Sequence, residues 1–336
     1  MVTRWIEQQW QGSSTWAWLL IPLSWLFGSI SALRRQWYQR GWLRAQRLPV
    51  PVIVVGNISV GGTGKTPLVI WLAQQLQQHG YRPGIISRGY GGDATQIPRP
   101  VKNDSAPAEV GDEPVLLARD SGCPVWVGRD RAAAGRALLA AHPAVTVLIS
   151  DDGLQHYKLA RDIELAVMDG ARGFGNRRLL PAGSLREPLA RLSGVDAVIV
   201  NQIATTRPAD VPAAVPVYFM ALQAQQFVNL ADPARRAIAA DFASKTIHAV
   251  AGIGHPQRFF DQLAALGIQA EPHAFPDHHA YAAHELAWPD TILMTAKDAV
   301  KCSTFATPNM WMLPVQAVLQ PDPIELVLAK LGNRHG

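Results

Sequence analysis

The stretch VVGNISVGGTGKTPLVIWLAQQL, from Val54 to Leu76, decides the fold. It begins with apolar residues typical of a buried strand, passes through a glycine-rich turn to Lys65 and Thr66, and continues with a helical pattern. A strand, a glycine-rich loop and a helix in this order form a phosphate-binding loop, because backbone amides and the helix N-terminus both attract phosphate oxygens. The stretch therefore predicts a nucleotide-binding α/β domain.

The loop departs at one position from the usual pattern G-x-x-x-x-G-K-[ST], since a serine replaces the first glycine. Two further glycines still give the backbone the freedom to curl round a phosphate. We expect Lys65 to reach the β- and γ-phosphates and the Thr66 hydroxyl to bind Mg²⁺. The alternative is a glycine-rich turn with an incidental lysine. The eight positions are Ser59, Val60, Gly61, Gly62, Thr63, Gly64, Lys65 and Thr66.

A later strand supplies the acidic residues that a magnesium site needs. The apolar run VTVLIS (145–150) is followed directly by Asp151 and Asp152. Mg²⁺ prefers carboxylate oxygens beside substrate phosphates. We therefore predict that both aspartates lie on the metal side of the nucleotide, and the alternative is that they only form a turn.

Strand-like apolar runs alternate with helical patterns along the first two thirds of the chain. The predicted strands are residues 52–55, 84–87, 124–127, 145–150, 164–168 and 197–201. The predicted helices are residues 67–79, 112–120 and 129–141. This alternation predicts an α/β fold of the P-loop NTPase type, a mostly parallel sheet with helices on both faces.

Three prolines then interrupt the pattern and predict a hinge within residues 205–225. A second, smaller α/β domain follows, with strands at 247–251, 270–275, 291–295 and 310–315 and helices at 255–266 and 323–331. The predicted division is an amino-terminal segment of residues 1–48, a phosphate-loop domain of residues 49–215 and a second domain of residues 216–336. The prolines are Pro208, Pro212 and Pro216.

The amino-terminal segment has no charged residue from Gln8 to Leu33 and six tryptophans in its first 37 residues. Its apolar centre, residues 16–33, is at the edge of the length that spans a bilayer. We expect a membrane-associated helix, either spanning the bilayer or lying in its interface. A cleaved signal peptide and a helix packed in the core are the alternatives. The basic flank is typical of the cytoplasmic side, with Arg34, Arg35, Arg40, Arg44 and Arg47.

The composition limits the class of protein and of partner. The chain has 336 residues, of which 48% are hydrophobic and 17% charged, and a formal net charge of +5. A positive charge suits nucleic acid, acidic lipid or a phosphorylated substrate. The chain has no recognised nucleic-acid motif, so we expect no nucleic-acid partner. The two cysteines, Cys123 and Cys302, are expected to be buried thiols rather than a disulfide.

Two functions remain open for such a nucleotide domain, a switch and a kinase. The N-K-x-D motif of guanine-specific switches is missing, since the nearest candidate is N-Q-I-A at 201–204. A kinase needs a base near the γ-phosphate that accepts the proton of the acceptor hydroxyl. Four polar clusters offer candidates, although each alone is more typical of a structural role. They are SRGYGG (87–92), GDEP (111–114), SLREP (184–188) and FPDHH (275–279).

Taken together, the motifs closely resemble the tetraacyldisaccharide 4'-kinase family of lipid A synthesis, over nearly the whole chain. The resemblance implies transfer of the ATP γ-phosphate, with Mg²⁺, to the 4'-hydroxyl of a tetraacylated glucosamine disaccharide 1-phosphate. It also implies a place at the cytoplasmic face of the Gram-negative inner membrane. The motifs that carry it are SVGGTGKTP (59–67), SRGYGG, GDEP, VGRDR (127–131), SDDGLQHYKLARDIELAVMDG (150–170), GNRRLLPAGSLREP (175–188), FPDHHAY (275–281) and TAKDAVK (295–301).

The resemblance also assigns roles. It implies that Asp112 is the catalytic aspartate and His278 its partner, joined across a cleft between the two domains. The family motif near residue 296 more often has Glu before the lysine, whereas this chain has Ala296. A rival function is a membrane-attached ATPase switch whose only acceptor is water. Candidate ligands of the acceptor are Arg88, Arg131, Arg186 and Glu187.

Overall fold

The computed structural model describes residues 10, 15–90, 92, 97–201, 206–243 and 245–332. The helices are α1 (Thr15–Leu19), α2 (Ile21–Gln39), α3 (Lys65–Gln78), α4 (Pro107–Val110), α5 (Asp112–Ser121), α6 (Arg131–Ala141), α7 (Pro256–Ala265), α8 (Ala296–Cys302) and α9 (Ile324–Gly332). The strands are β1 (Val52–Gly56), β2 (Pro83–Ser87), β3 (Arg99–Val101), β4 (Val125–Val127), β5 (Val147–Asp151), β6 (Ile163–Asp169), β7 (Ala197–Asn201), β8 (Val217–Ala224), β9 (Phe227–Asn229), β10 (Arg236–Ala237), β11 (Ile247–Ala251), β12 (Glu271–Ala274), β13 (Thr291–Thr295), β14 (Met310–Leu313) and β15 (Val315–Gln320).

The larger sheet has the strand order β15-β8-β7-β6-β1-β5-β2-β4-β3 among the described residues. From β8 to β4 all neighbours are parallel. The two edge strands, β3 and β15, are antiparallel to their neighbours. The predicted mostly parallel α/β sheet is therefore confirmed.

Helices cover both faces of this sheet, and its central strands have apolar residues on both sides. In the central strand β1, Ile53 belongs to a core cluster with Leu72 of α3. The adjacent Val54 points to the opposite face and belongs to a second cluster with Leu138 of α6. Such continuous apolar strands are expected when a parallel sheet is covered on both faces.

The register of the central strands positions the phosphate loop and the acidic pair. Val55, near the end of β1, pairs with Asp151, the last residue of β5. Parallel neighbouring strands bring their carboxyl ends to one edge of a sheet, where α/β proteins bind ligands. The loop after β1 and the two aspartates after β5 therefore lie side by side.

The smaller sheet has the order β10-β9-β14-β13-β11-β12 in the described part of the chain. The strands from β12 to β14 are parallel, whereas β9 and β10 pair in antiparallel fashion. Helix α7 packs on this sheet through Phe259 and Leu263. The predicted second α/β unit is thus present as a separate sheet.

The division between the sheets differs from the expected one at residue 215. Strands β8 and β15, both beyond that residue, pair with each other in the larger sheet, and α9 packs on the same sheet. The chain passes to the smaller sheet after Ala224 and returns at Pro314. Proline has no N–H group and ends a strand ladder, so the single strand expected at 310–315 is divided between two sheets.

The amino-terminal helix α2 contacts the molecule along one side and exposes its apolar residues on the other. The Ser24 hydroxyl donates to the carbonyl oxygen of Leu179 and accepts from the amide of Ala182, each at 2.9 Å. The exposure of its apolar side chains contradicts the alternative of a helix packed in the core. Within the described residues, no helix combines the length and apolarity needed to cross a bilayer. The exposed apolar side chains of α1, α2 and the turn between them include Trp18, Leu19, Leu20, Leu23, Trp25, Leu26, Ile30, Leu33 and Trp37.

The two cysteines are buried free thiols, as predicted. Burial raises the pKa of Cys123 to about 11 and that of Cys302 to about 12. Some sequence features lie outside the described residues. They are Trp5 in the amino-terminal segment, Gly91 of the SRGYGG motif and residues 202–204 of the N-Q-I-A motif.

Candidate active site

The phosphate loop runs from the end of β1 to the first residue of α3. Gly61 and Gly64 have φ angles of 98° and 87°, a region that residues with a Cβ atom rarely adopt. The side-chain amide of Asn201 donates to the carbonyl oxygen of Thr63 at 3.1 Å. Helix α3 begins at Lys65, so its N-terminus points at the loop. This is the expected strand, loop and helix of a phosphate site.

Lys65 lies between the loop and the acidic pair. Its Nζ atom is 3.3 Å from Oδ1 of Asn57 and 3.6 Å from Oδ1 of Asp152. Asn57 was not predicted as a site residue, although a polar residue directly after a buried strand is a usable signal. Thr66, the second residue of α3, is half-buried beside the lysine. The predicted lysine and aspartate are therefore brought together, with the predicted threonine next to the lysine in the chain.

Asp151 is buried at the end of β5. The Ser87 hydroxyl donates to its Oδ2 atom at 3.1 Å, whereas no described residue hydrogen-bonds to its Oδ1 atom. Burial raises the pKa of Asp151 to about 7, and the negative charges of Glu113 and Asp152 add to the effect. A buried carboxylate with an unused acceptor atom and two acidic neighbours is suited to a cation.

Asp152 carries the turn after β5 in a left-handed conformation, with φ at 48°. Arg186 Nη1 lies 3.1 Å from its Oδ2 atom and 3.3 Å from its Oδ1 atom. Burial alone would raise the pKa of Asp152, but the charges of Lys65 and Arg186 outweigh it and hold that pKa below its usual value. Asp152 therefore has the lower pKa of the two aspartates.

Two of the other predicted acceptor ligands, Arg131 and Arg88, lie in different environments. Arg131 is buried and donates from Nη2 to the carbonyl oxygens of Asp151, at 3.2 Å, and Asp152, at 3.4 Å. Burial lowers the pKa of Arg131 to about 10, and the charge of the exposed Arg88 contributes to this decrease. Arg131 thus holds the turn after β5, while Arg88 faces solvent.

Glu187 is buried in a network of its own. The Gln155 amide donates to its carboxylate at 2.9 Å, and the Tyr157 hydroxyl donates to the other oxygen. Arg191 Nε lies 3.8 Å from the same carboxylate. These contacts fix the segment that carries Arg186, so Glu187 is engaged with protein groups in this structure.

Asp112 and His278 meet although they come from different sheets. Asp112 is the first residue of α5, and His278 lies in the loop after β12 with φ at 60°. The Nδ1 atom of His278 is 3.0 Å from each carboxylate oxygen of Asp112. The side chain of Asp112 is 4% exposed and that of His278 23%. The structure therefore brings together the pair that the motifs implied, with the imidazole on the more open side.

Each member of the pair stabilises the charged form of the other. The hydrogen bond to Asp112 raises the pKa of His278 above its ordinary value, against the opposing effect of burial. Burial alone would raise the pKa of Asp112, but the hydrogen bond from His278 and the charge of Lys297 outweigh it and lower that pKa. The resting pair is thus a carboxylate beside an imidazole that holds its proton more strongly than usual.

Lys297, the second residue of α8, is a further member of this cluster that the sequence did not predict. Its Nζ atom lies 3.0 Å from Glu113 Oε1, 3.2 Å from Asp277 Oδ1 and 3.9 Å from Asp112 Oδ2. Burial would lower its pKa, but these carboxylates raise it above the usual value. The available signal was its position in the TAKDAVK motif, two residues beyond the end of strand β13.

A second cluster joins the two sheets beside the phosphate loop. Arg172 donates to the carbonyl oxygen of Gly62 at 2.7 Å and to Asp169 Oδ2 at 3.0 Å. Arg258, from α7 on the smaller sheet, donates to Asp169 Oδ1 at 2.7 Å. The predicted phosphate loop is therefore held in place by residues of both sheets, a link that sequence spacing does not indicate.

The fold and these clusters define the class of P-loop phosphotransferases. The carboxyl edge of the larger sheet carries the phosphate loop and two aspartates, and a carboxylate–imidazole pair lies where the second sheet joins it. Glu113, adjacent to Asp112, is close enough to Asp151 that its charge contributes to the raised pKa of that residue. The residues predicted to hold the metal and those predicted to act as the base are therefore electrostatic neighbours.

Comparisons with known proteins identify the family. The family model described as tetraacyldisaccharide-1-P 4'-kinase matches residues 16–332. The tetraacyldisaccharide 4'-kinase of Methylobacillus flagellatus is 50% identical over 98% of this chain and 96% of that protein. The enzyme of the same name from Dechloromonas aromatica is 51% identical over 100% of this chain and 99% of that protein. The chain belongs to the tetraacyldisaccharide 4'-kinase family.

A solved structure agrees with this assignment. The crystal structure of LpxK from Aquifex aeolicus in complex with ATP matches with a TM-score of 0.81 and 31% sequence identity. The match covers 95% of this chain and 99% of that one. The two-sheet architecture is therefore that of the family.

Proposed function

We propose that this protein transfers the γ-phosphoryl group of ATP to the 4'-hydroxyl group of tetraacyldisaccharide 1-phosphate, a precursor of lipid A. Family membership gives the reaction, and the ATP complex of the Aquifex aeolicus relative supports ATP as the donor. The observation that carries the proposal is the Asp112–His278 pair, with 3.0 Å between Nδ1 and the carboxylate, whose neighbour Glu113 contributes to the raised pKa of Asp151. Phosphoryl transfer to a hydroxyl group needs a proton acceptor of this kind.

The phosphate loop and Lys65 bind the triphosphate in this proposal. The loop amides and the N-terminus of α3 supply partial positive charge, and the lysine supplies a full one. Thr66, Asp151 and Asp152 would hold Mg²⁺, for which the unused Oδ1 atom of buried Asp151 is the supporting observation. Mg²⁺, when bound there, would offset charge on the phosphates.

The Asp112–His278 pair accepts the proton of the acceptor hydroxyl. We assign the proton to Asp112, with His278 orienting the carboxylate and sharing the proton through its hydrogen bond. Lys297 holds Glu113 and Asp277 on either side of the pair, which keeps the two sheets at the distance that the hydrogen bond needs. These residues position and remove a proton, and the phosphate loop positions the phosphoryl group.

The anionic parts of the acceptor meet arginine side chains. The guanidinium group of arginine matches phosphate oxygens in a bidentate fashion. Arg88 is exposed and Arg186 lies beside Asp152, so we propose these two as direct ligands. Arg131 and Glu187 support the site by fixing the turn after β5 and the segment before Arg191.

The exposed apolar side of α1 and α2 binds the membrane surface. Tryptophan and leucine side chains there are as exposed as 71% for Trp25 and 72% for Leu19. Indole rings favour the bilayer interface, and the following arginines suit anionic headgroups. We propose the cytoplasmic face of the Gram-negative inner membrane as the location and no nucleic-acid partner.

One assay tests the proposed function against the rival ATPase switch. Purified protein in detergent is given γ-labelled ATP with and without the disaccharide acceptor, and label is followed in lipid and in free phosphate. The kinase account expects label in the lipid that depends on Mg²⁺. Release of free phosphate at the same rate with and without acceptor would support the switch instead.

A further inference from the structure

A cluster of metal-ligating side chains lies on the smaller sheet, apart from the site described above. His248 of β11 is paired in register with Glu271 of β12, and His273 lies two residues further along β12. Side chains two residues apart on a strand share one face of the sheet. The register therefore brings two imidazoles and one carboxylate to the same face of an edge strand and its neighbour.

The ligand atoms are closely spaced. His248 Nδ1 lies 3.0 Å from His273 Nε2 and 3.5 Å from Glu271 Oε2. His273 Nε2 lies 3.9 Å from Glu271 Oε1. In a tetrahedral zinc site with metal–ligand distances of about 2.1 Å, neighbouring ligand atoms are about 3.4 Å apart. The observed distances lie on both sides of that value, so small side-chain rotations make the three atoms ligands of one ion.

The surroundings hold the imidazoles in this arrangement. Trp288 stacks on both rings, with centroids 4.5 Å from His248 and 4.4 Å from His273. His248 is buried, and Asp290 Oδ2 lies 3.8 Å from its second nitrogen, the side on which metal-bound imidazoles usually meet a carboxylate. Glu271 is exposed to solvent, which gives an ion a path of entry.

We propose that His248, Glu271 and His273 form a site for a transition-metal ion of the zinc type, which clamps edge strand β12 to β11. Imidazole nitrogens favour Zn²⁺ over Mg²⁺, so this site selects a different ion from the carboxylates beside the phosphate loop. The alternative interpretation is that the two imidazoles only form a hydrogen bond with each other and bind no metal. In that alternative Glu271 only pairs electrostatically with the imidazoles, and the cluster binds no Zn²⁺, which is the basis of the test.

The test is a calorimetric titration of the full-length protein with ZnCl₂ after chelator treatment, in the presence of excess Mg²⁺ and ATP. We expect one ion per chain in the wild-type protein. His273→Gln and Glu271→Gln should each raise the Kd for Zn²⁺. For His273→Gln we expect an increase of at least about 100-fold, because loss of a direct ligand weakens binding more than loss of an outer-shell partner does. His284→Gln removes an exposed histidine of the same unit outside the cluster and should bind like wild type.

Thermal unfolding gives a second readout that does not depend on kinase activity. Zn²⁺ should raise the Tm of the wild-type protein and of His284→Gln, and raise that of Glu271→Gln by less, because a ligand that binds only the folded state stabilises it by an amount that increases with its affinity. Glu271 has an exposed side chain, so this variant keeps the test valid even if His273→Gln fails to fold. Wild-type protein that binds no Zn²⁺, or variants that bind it equally well, would overturn the proposal.

Discussion

At the scale of single residues, the Asp112–His278 pair is the arrangement in which each residue most clearly shifts the pKa of the other. A buried carboxylate and a partly exposed imidazole lie 3.0 Å apart and come from elements more than 160 positions apart in the chain. Such a contact is fixed only by the folded state. The charge of one member should therefore be measurable through the titration of the other.

Asp112→Asn should lower the pKa of His278 towards 6.5, its unperturbed value. The hydrogen bond to the carboxylate is the largest cause of the raised pKa in the wild-type protein, and an amide cannot replace its charge. NMR titration of the His278 imidazole in the nucleotide-free wild-type and variant proteins measures the change. An unchanged His278 pKa in the variant would show that the charge of Asp112 does not raise the pKa of His278.

Loss of either member should reduce turnover. We expect Asp112→Ala and His278→Ala each to lower kcat by about 100-fold or more, the usual contribution of a general base. The double variant should be little worse than the worse single variant, because the residues act as a unit. ATP affinity, measured separately by calorimetry, should change little. A large rise in the ATP Kd for Asp112→Ala would instead assign that residue to the nucleotide.

At the scale of elements, the phosphate loop contains two glycines with positive φ, Gly61 and Gly64, of which Gly64 is the more crowded. A Cβ atom on Gly64 would lie 2.5 Å from the Asn201 side chain, in addition to the strain of a positive φ. We expect Gly64→Ala to lower the free energy of unfolding by about 1–2 kcal/mol or more. Gly62→Ala is the matched control, since a Cβ atom there meets nothing within 4 Å. Denaturant titration of both variants tests this, and equal stability would contradict it.

The amino-terminal helix pair should control attachment to lipid. Replacing Trp25 and Leu26 by Gln removes two exposed apolar side chains and leaves the Ser24 contact to Leu179 in place. We expect much less of this variant to float with vesicles that contain anionic lipid, because apolar burial drives interfacial binding. Ile238→Gln, which removes an exposed apolar side chain elsewhere, should float like wild type. Equal flotation of all three proteins would place the membrane contact on another surface.

At the scale of the whole molecule, some features followed from the sequence and others required the fold. The phosphate loop, Asp151 and Asp152 were predictable because each is a local sequence feature. The loop lies between a contiguous strand and helix, and the two aspartates directly follow an apolar strand. The roles of Asp112 and His278 came from a family resemblance. Lys297 was missed because its partners lie on other elements.

The division into sheets was predicted less well for a physical reason. The return of β15 to the larger sheet depends on a turn at Pro314, and a single apolar run gives no sign that its two halves pair in different sheets. The salt bridge between Asp169 and Arg258 likewise joins residues 89 positions apart. Contacts of this kind follow from tertiary packing rather than from periodicity.

The most direct test of the central claim is transfer of label from γ-labelled ATP to the purified disaccharide 1-phosphate by wild-type protein and by Lys65→Ala. We predict Mg²⁺-dependent labelling of the lipid at the 4'-position by the wild-type protein. We predict none by the folded variant, because the loop then lacks its charge for the β- and γ-phosphates. Equal lipid labelling by a folded Lys65→Ala protein, or phosphate release that ignores the acceptor, would contradict the account.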